Sequence, residues 1–415
     1  MKLAYLTEDF PAASETFIQN QIAGLAGLGH HVHVFANELD QRSTGTVDES
    51  IPADIHVSRR PRLSGGRIRR ATQAVRLLLE DRTVGAIRHR VGSLRHLANA
   101  VISPQLLVDA TPFAHNKSSY DAMVCHFGPN GLRGLRLRKF GSFRAPIVTV
   151  FHGWDMSSFL TVHGEGVYDE LFREGDLFLP ISEYWRRRLV ELGCPPQKIR
   201  VHHMGVDCGR FRFLPRAFQS HLPVRIVSIA RLVEKKGIED GIRAVARLLE
   251  RGVNLEYRIV GDGPLFDPLG RLSDRLNVSN RIQLVGGRST EEVAAILRDA
   301  HVLLAPSVTA ADGDKEGIPV ALMEAMASGM VVLTTVHSGI PELVSDGVTG
   351  FLVSERDDEA LAARLNHIVS HPESWSAIGA EARRKIEAEF DVDRLNVKLV
   401  GILEDLQRAR PARTE

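Results

Sequence analysis

From Arg225 to Thr334 the chain repeats one pattern: a short apolar run, a segment with one apolar helical face, then another apolar run. The runs are Arg225–Ile229, Tyr257–Val260, Ile282–Val285, Val302–Ala305 and Val331–Thr334. Between them fall helical patterns at Ile238–Glu250, Pro268–Leu276, Thr290–Asp299 and Pro319–Ser328. Strands that alternate with helices pair in parallel, and a parallel sheet must be covered on both faces. The first half follows the same rule, with a strand at Lys2–Thr7, a helix whose N-cap is placed at Ser14, and a strand at His31–Phe35. Strand, helix, strand in about 30 residues is a βαβ unit. Further strands are expected at Met123–His126, Ile147–Phe151 and Leu177–Ile181, with an arginine-rich helix starting near Ser182.

Between Arg210 and Pro223 the periodicity fails, then restarts. This predicts an α/β chain with two Rossmann-like domains, residues 1–210 and 224–392, joined by a linker at 211–223. A last helix within 393–415 is expected to pack back on the first domain. Ligands of such sheets sit beyond the carboxyl ends of the strands, so a cleft between the domains is the expected site.

Composition narrows the function. Of the 415 residues, 44% are hydrophobic and 25% charged, which suits a folded globular protein and excludes wholesale disorder. A net charge of +1 is too balanced for a general nucleic-acid binder. Three cysteines, Cys125, Cys194 and Cys208, form no CxxC pair, and no apolar run is long enough to span a bilayer. Glu8 and Asp9 directly after the first apolar stretch are unlike a signal peptide. A cytoplasmic enzyme is the expectation.

Charge is not even locally. Eleven arginines fall between Arg59 and Arg95, opposed only by Glu80 and Asp81. One reading is a solvated helical face. Another is a surface for anionic lipid at the inner face of the plasma membrane, because Leu77, Leu78, Leu79, Val84 and Ile87 supply an apolar face beside the arginines.

Two segments carry chemistry. In RIVSIARLVEKKG (Arg225–Gly237) a strand runs out into Arg231 and Lys236, placing two cations at the carboxyl edge of the sheet. A guanidinium fork and a lysine point charge both suit phosphate oxygens. In AADGDKEGIPVALMEAMASG (Ala310–Gly329) Glu316 lies in a loop, Gly317 allows close backbone approach, and Pro319 opens a helix whose N-terminus attracts anions. Glu324 follows eight residues after Glu316. Carboxylates beside a phosphate site do not bind phosphate; they accept protons from hydroxyls, such as those of a sugar and a ribose.

These elements resemble the retaining glycosyltransferases of family 4. The matching segments of the second half are the Glu316/Glu324 pair, the Arg231/Lys236 loop, VGDGP at Val260–Pro264 and SGIPELVSDGVTGFLV at Ser338–Val353. In the first half, FPAASETFIQNQI (Phe10–Ile22), FHGWDMS (Phe151–Ser157) and Ile181–Asp207 resemble the exopolysaccharide branch, of the colanic acid and amylovoran type. The resemblance covers nearly the whole chain and implies the GT-B fold, with two Rossmann-like domains facing across a cleft. It implies a nucleotide-diphosphate-sugar donor, a lipid-linked or oligosaccharide acceptor, no nucleic-acid partner and no required metal or other cofactor. Arg231 and Lys236 would hold the diphosphate and Glu324 the ribose. Glu316, with Gly317 and Ile318, would hold the transferred sugar, and His152 would face it from the first domain. Many relatives carry Gly-Gly in the first βα loop; here that loop reads Pro-Ala-Ala-Ser-Glu, so Ser14 and Glu15 are assigned to the acceptor side, and Asp155 either joins them there or hydrogen-bonds its own loop.

Three motifs are set aside. Asp312-Gly-Asp314 imitates a metal-binding DxD, Gly261-Asp-Gly263-Pro264 lacks the third glycine of a dinucleotide fingerprint, and His202-His203 has no ligand partner at zinc spacing. Two other functions remain open on sequence: a sugar-nucleotide epimerase of the same fold, and a non-catalytic sugar-nucleotide-binding membrane adaptor.

Overall fold

The computed structural model describes residues 1–12, 15–37, 55–61, 63–80, 104–115, 119–219 and 221–409. Ser14 and residues 81–95 of the arginine-rich run lie outside the described residues. So does Arg62.

The described residues build two six-stranded sheets, parallel throughout. The first holds β1 (Lys2–Leu6), β2 (His31–Asn37), β3 (His56–Arg60), β4 (Ala122–His126), β5 (Ile147–Phe151) and β6 (Leu177–Pro180), in the order β3-β2-β1-β4-β5-β6. The second holds β7 (Val224–Ile229), β8 (Leu255–Val260), β9 (Ile282–Leu284), β10 (Val302–Ala305), β11 (Val331–Thr335) and β12 (Phe351–Val353), in the order β12-β11-β10-β7-β8-β9. Each sheet therefore reverses direction next to its own first strand, between β1 and β4 and between β7 and β10. A crevice opens at each reversal, and the two crevices face each other.

β3 and β12 carry no pattern that predicts a strand from the sequence. In β3, His-Val-Ser-Arg-Arg, only Val57 is apolar, so no hydrophobic run marks it. Its last residue, Arg60, is fully buried and donates to the carbonyls of Ala36 (3.3 Å) and Thr7 (3.1 Å). Hydrogen bonds to backbone oxygens compensate the desolvation that a buried guanidinium suffers. β12 has three residues, too few to show a period. The first helix, Thr16–Gly27, takes Glu15 as its N-cap, and no side chain completes that cap.

The domains are joined at two places that lie side by side. Val206 N–H donates to the Phe390 carbonyl at 2.9 Å, and Val392 N–H donates to the Val206 carbonyl at 3.1 Å. The chain then enters the helix Val392–Arg408, which buries Leu399, Ile402 and Leu403 in the core of the first domain. The second domain keeps separate apolar clusters on the two faces of its sheet. No described helix is long and apolar enough to cross a membrane.

Candidate active site

β7 ends at Ile229, and the chain stays tied to β8 for a few residues more, Ala230 N–H donating to the Val260 carbonyl at 3.0 Å and Leu232 N–H to the Asp262 carbonyl at 2.8 Å. This holds Arg231 at the mouth of the crevice, exposed toward the cleft. Gly261 makes that pairing feasible: its φ is +137°, and a Cβ there would stand 1.8 Å from the Ala230 carbonyl oxygen. The Gly261–Pro264 segment is thus a packing device for the Arg231 loop, which explains glycines that imitate a fingerprint.

A short 3-10 turn, Glu234–Lys236, then aims two lysines at one carboxylate. Lys236 Nζ lies 2.9 Å from Glu316 Oε2, and Lys235 Nζ lies 3.6 Å from Glu316 Oε1 and 2.9 Å from Asp314 Oδ2. Burial disfavours the charged form of Glu316, but Lys236 and Lys235 outweigh it and hold the carboxyl down to about 2. The Glu316 backbone is fixed as firmly. Its N–H donates to His337 Nε2 at 2.9 Å, His337 Nδ1–H donates to Glu355 at 2.6 Å, and Ser338 Oγ donates to the Glu316 carbonyl at 2.7 Å.

The chain then turns at Pro319 into the helix Val320–Ala327. Gly317, Ile318, Pro319, Val320 and Ala321 line the cleft, so the first helical N–H groups open into it beside Arg231 and Lys236. Glu324, one turn further on, also lines the cleft, and burial pushes its carboxyl up to about 7.

The opposite wall comes from the first domain. His152 follows β5, with its ring centroid 5.0 Å from that of Phe17 and 4.4 Å from that of Phe127. Phe127 stands at φ +70°, a strained conformation for a residue with a side chain. Glu15 lines the cleft as well; burial, with Asp9 and Glu8 beside it, pushes its carboxyl up to about 7 against the pull of Arg231.

The two walls meet at the backbone. A Cβ on Gly317 would stand 2.6 Å from the His152 carbonyl oxygen and 2.5 Å from Ile181 Cδ1, so only glycine lets the Glu316 loop close on the first domain. Beside this contact Glu342 accepts the N–H groups of Glu183 (2.8 Å) and Tyr184 (2.9 Å), and Lys315 Nζ donates to Tyr184 OH at 2.8 Å. A carboxylate of the second domain therefore caps a helix of the first.

The structure brings Glu15, His152, Arg231, Lys236, Glu316, Gly317, Ile318 and Glu324 to one cleft of about 720 Å³, within the range of small-molecule sites. It does not bring Asp155 there. That residue is fully buried and accepts the N–H groups of Gly128, His152 and Gly153, so it braces the loops behind His152 instead of facing an acceptor. Lys235, Phe127 and Arg288 are among the cleft residues that the sequence reading missed. Lys235 reads as a surface lysine beside Lys236, Phe127 as an ordinary strand-end aromatic, and Arg288 as a loop cation; the strand end at β9 was the available signal for Arg288. Among the described residues no group of three or more His, Cys, Asp or Glu is placed to hold a metal ion. Asp314 instead takes the Lys235 ammonium, and Asp312 accepts the Asp314 N–H at 2.9 Å.

Known proteins resemble the chain in sequence and in fold. Residues 218–385 match the glycosyl transferases group 1 family, and residues 13–205 match the glycosyl transferase 4-like domain. The chain is 39% identical to WcaL of Salmonella typhimurium over 417 residues and to WcaL of Escherichia coli over 416, in each case 98% of its own length and 100% of the relative's, and both are named as a colanic acid biosynthesis glycosyltransferase. It is 36% identical over 98% of its length and 100% of the relative's to the amylovoran biosynthesis glycosyltransferase AmsK of Erwinia amylovora. Among solved structures, Anabaena HepE in complex with UDP-glucose superposes with a TM-score of 0.74 at 18% identity, covering 98% of this chain and 100% of that one. Sucrose-phosphate synthase of Thermosynechococcus elongatus gives 0.75 at 18% identity, covering 99% and 100%. The sheet pair is that of the GT-B fold, and the chain belongs to the glycosyltransferases, with a 4-like amino-terminal domain and a group 1 carboxyl-terminal domain.

Proposed function

We propose that the protein is a retaining hexosyltransferase of family 4 that moves a sugar from a nucleotide-diphosphate donor to a lipid-linked or oligosaccharide acceptor in exopolysaccharide biosynthesis, with no metal required. One observation carries the reading: Arg231, Lys236 and the N-terminus of Val320–Ala327 converge on one end of a cleft whose other wall holds His152. Two cations and a helix end suit a diphosphate, and they stabilise the charge that develops as it departs. Glu324, half-buried on the same helix, accepts from the ribose hydroxyls, and Glu316 accepts from hydroxyls of the transferred sugar. The lysines keep Glu316 ionised, so both its oxygens act only as acceptors.

In this reading the bond from the anomeric carbon to the diphosphate oxygen breaks while the acceptor oxygen bonds to the same face. The acceptor proton passes to the departing diphosphate oxygen. Glu15 lies on the first-domain side, where an acceptor enters. HepE, solved with UDP-glucose, and WcaL and AmsK, named for polysaccharide biosynthesis, support the substrate classes.

Meeting a lipid-linked acceptor requires contact with the inner face of the plasma membrane. The helix Arg67–Glu80 supports it, presenting Arg69 and Arg70 beside Ile68, which is 83% exposed, and the exposed Val75. Each cation near an anionic leaflet contributes about 1 kcal/mol. Vesicle co-sedimentation should show binding to anionic but not neutral vesicles, lost in high salt.

The test of the reaction is donor hydrolysis and transfer over a panel of UDP-, GDP- and ADP-sugars, with product configuration read by NMR. Release of nucleoside diphosphate with retained anomeric configuration is expected. An epimerised sugar nucleotide as the product, or no consumption of any donor, would refute it.

A further inference from the structure

Behind His152 runs a row of hydrogen bonds that the reaction scheme leaves unused. It begins at Tyr5, fully buried on β1, whose OH donates to Gln21 Oε1 at 3.0 Å. The same oxygen lies 3.0 Å from His126 Nε2, and His126 Nδ1 lies 3.1 Å from His152 Nε2. The two imidazoles stack with centroids 5.3 Å apart and planes 27° from parallel. Phe17 and Phe127 pack on the His152 ring, so it has little freedom to turn.

The protons along this row follow from its first member. The Tyr5 phenol is out of water and needs an acceptor, which the Gln21 carbonyl supplies. With the amide the other way round, Tyr5 would meet an NH2 group and lose that acceptor. A carbonyl at Gln21 requires the proton of His126 on Nε2. A neutral imidazole carries one proton, so His126 Nδ1 is a bare acceptor and takes the proton on His152 Nε2. His152 Nδ1 is then bare as well. It is buried and has no hydrogen-bond partner in the protein, although His152 lines the cleft. Burial, with His202 adding to it, lowers His126 to about 3; burial, with His126, lowers His152 well below the ordinary range, so neither ring carries a second proton near neutrality.

We propose that Tyr5, Gln21 and His126 are positioning residues that fix His152 in the Nε2-protonated tautomer, leaving Nδ1 as an acceptor that selects a sugar hydroxyl donating to it. The selection rests on His152 facing the transferred sugar; the tautomer does not.

The test therefore reads the tautomer in the full chain without donor. Ring-¹⁵N-labelled histidine is incorporated, and the His152 signals are assigned by their loss in His152→Asn. Protonated Nε2 and bare Nδ1 are expected at neutral pH. Gln21→Met should release the row and give a mixture of tautomers, while Gln21→Glu, which keeps an acceptor, should restore the single form. A proton on His152 Nδ1 in the unsubstituted chain would overturn the proposal whether or not the variants fold. An unchanged tautomer in folded Gln21→Met would do the same. Normal donor turnover by His152→Asn, with the tautomer as expected, would strike only the role of His152 in the reaction.

Discussion

His202 carries a clear pH signature outside the cleft. It is 2% exposed, and neither ring nitrogen has a hydrogen-bond partner. Burial, with Lys398 and His203 beside it, lowers it to about 3. The unfolded chain binds this proton below about 6.5 and the folded chain only near 3, so stability present above 6.5 is lost as pH falls. At one pKa unit per 1.36 kcal/mol, the loss reaches about 2 kcal/mol at pH 5. His202→Leu should therefore narrow the gap in denaturation midpoint between pH 7.5 and pH 5, and an unchanged gap would refute the assignment. Lys235 is the second case. Its ammonium, with Asp314 and Glu316, forms a buried triad, and removing one partner from such a group costs about 3 kcal/mol or more. Lys235→Met should lower the melting temperature and raise the Glu316 pKa, whereas Lys→Met at an exposed lysine should do neither.

At the scale of elements, the notable contact is a cap that crosses between domains. The helix Glu183–Glu191 has Ser182 at its N-cap, and Glu342 of the other domain accepts its first two N–H groups. Capping of this kind contributes about 1 kcal/mol, here to the closed arrangement. Glu342→Ala should raise the donor KM several-fold and increase the radius of gyration in solution scattering; an unchanged radius and KM would argue against a latch. Most elements were legible because their apolar runs are long and regularly spaced, as from β7 to β11. β3 was not, since an edge strand with a buried arginine carries no hydrophobic signal. Among site residues, Arg231, Lys236 and Glu316 could be read because each sits beyond a predictable strand end or before a helix, and Glu324 because it follows Glu316 by eight residues on that helix. Asp155 was legible only as a choice between the acceptor side and its own loop, because a carboxylate holding three backbone amides and one facing a ligand look alike in sequence; the structure selects the loop.

The whole molecule is two sheets of the same strand order, opposed at their direction reversals and tied by two adjacent crossings at Val206 and Asp391. The carboxyl-terminal helix ends on the first domain, so the second domain is inserted between parts of the first. Truncation before Val392 should expose Thr16–Gly27 and the Leu399 site and leave a chain that aggregates on heating. The opposed sheets place Arg231, Lys236 and the N-terminus of Val320–Ala327 in one domain and His152 in the other, and the central claim is that this cleft transfers a sugar from a nucleotide-diphosphate donor. The most direct measurement is steady-state turnover of Arg231→Ala with the donor identified in the panel. Loss of a preorganised charge donor is worth about 3 kcal/mol, so kcat/KM should fall about 100-fold or more with an unchanged melting temperature. Near-normal turnover by that variant would contradict the account.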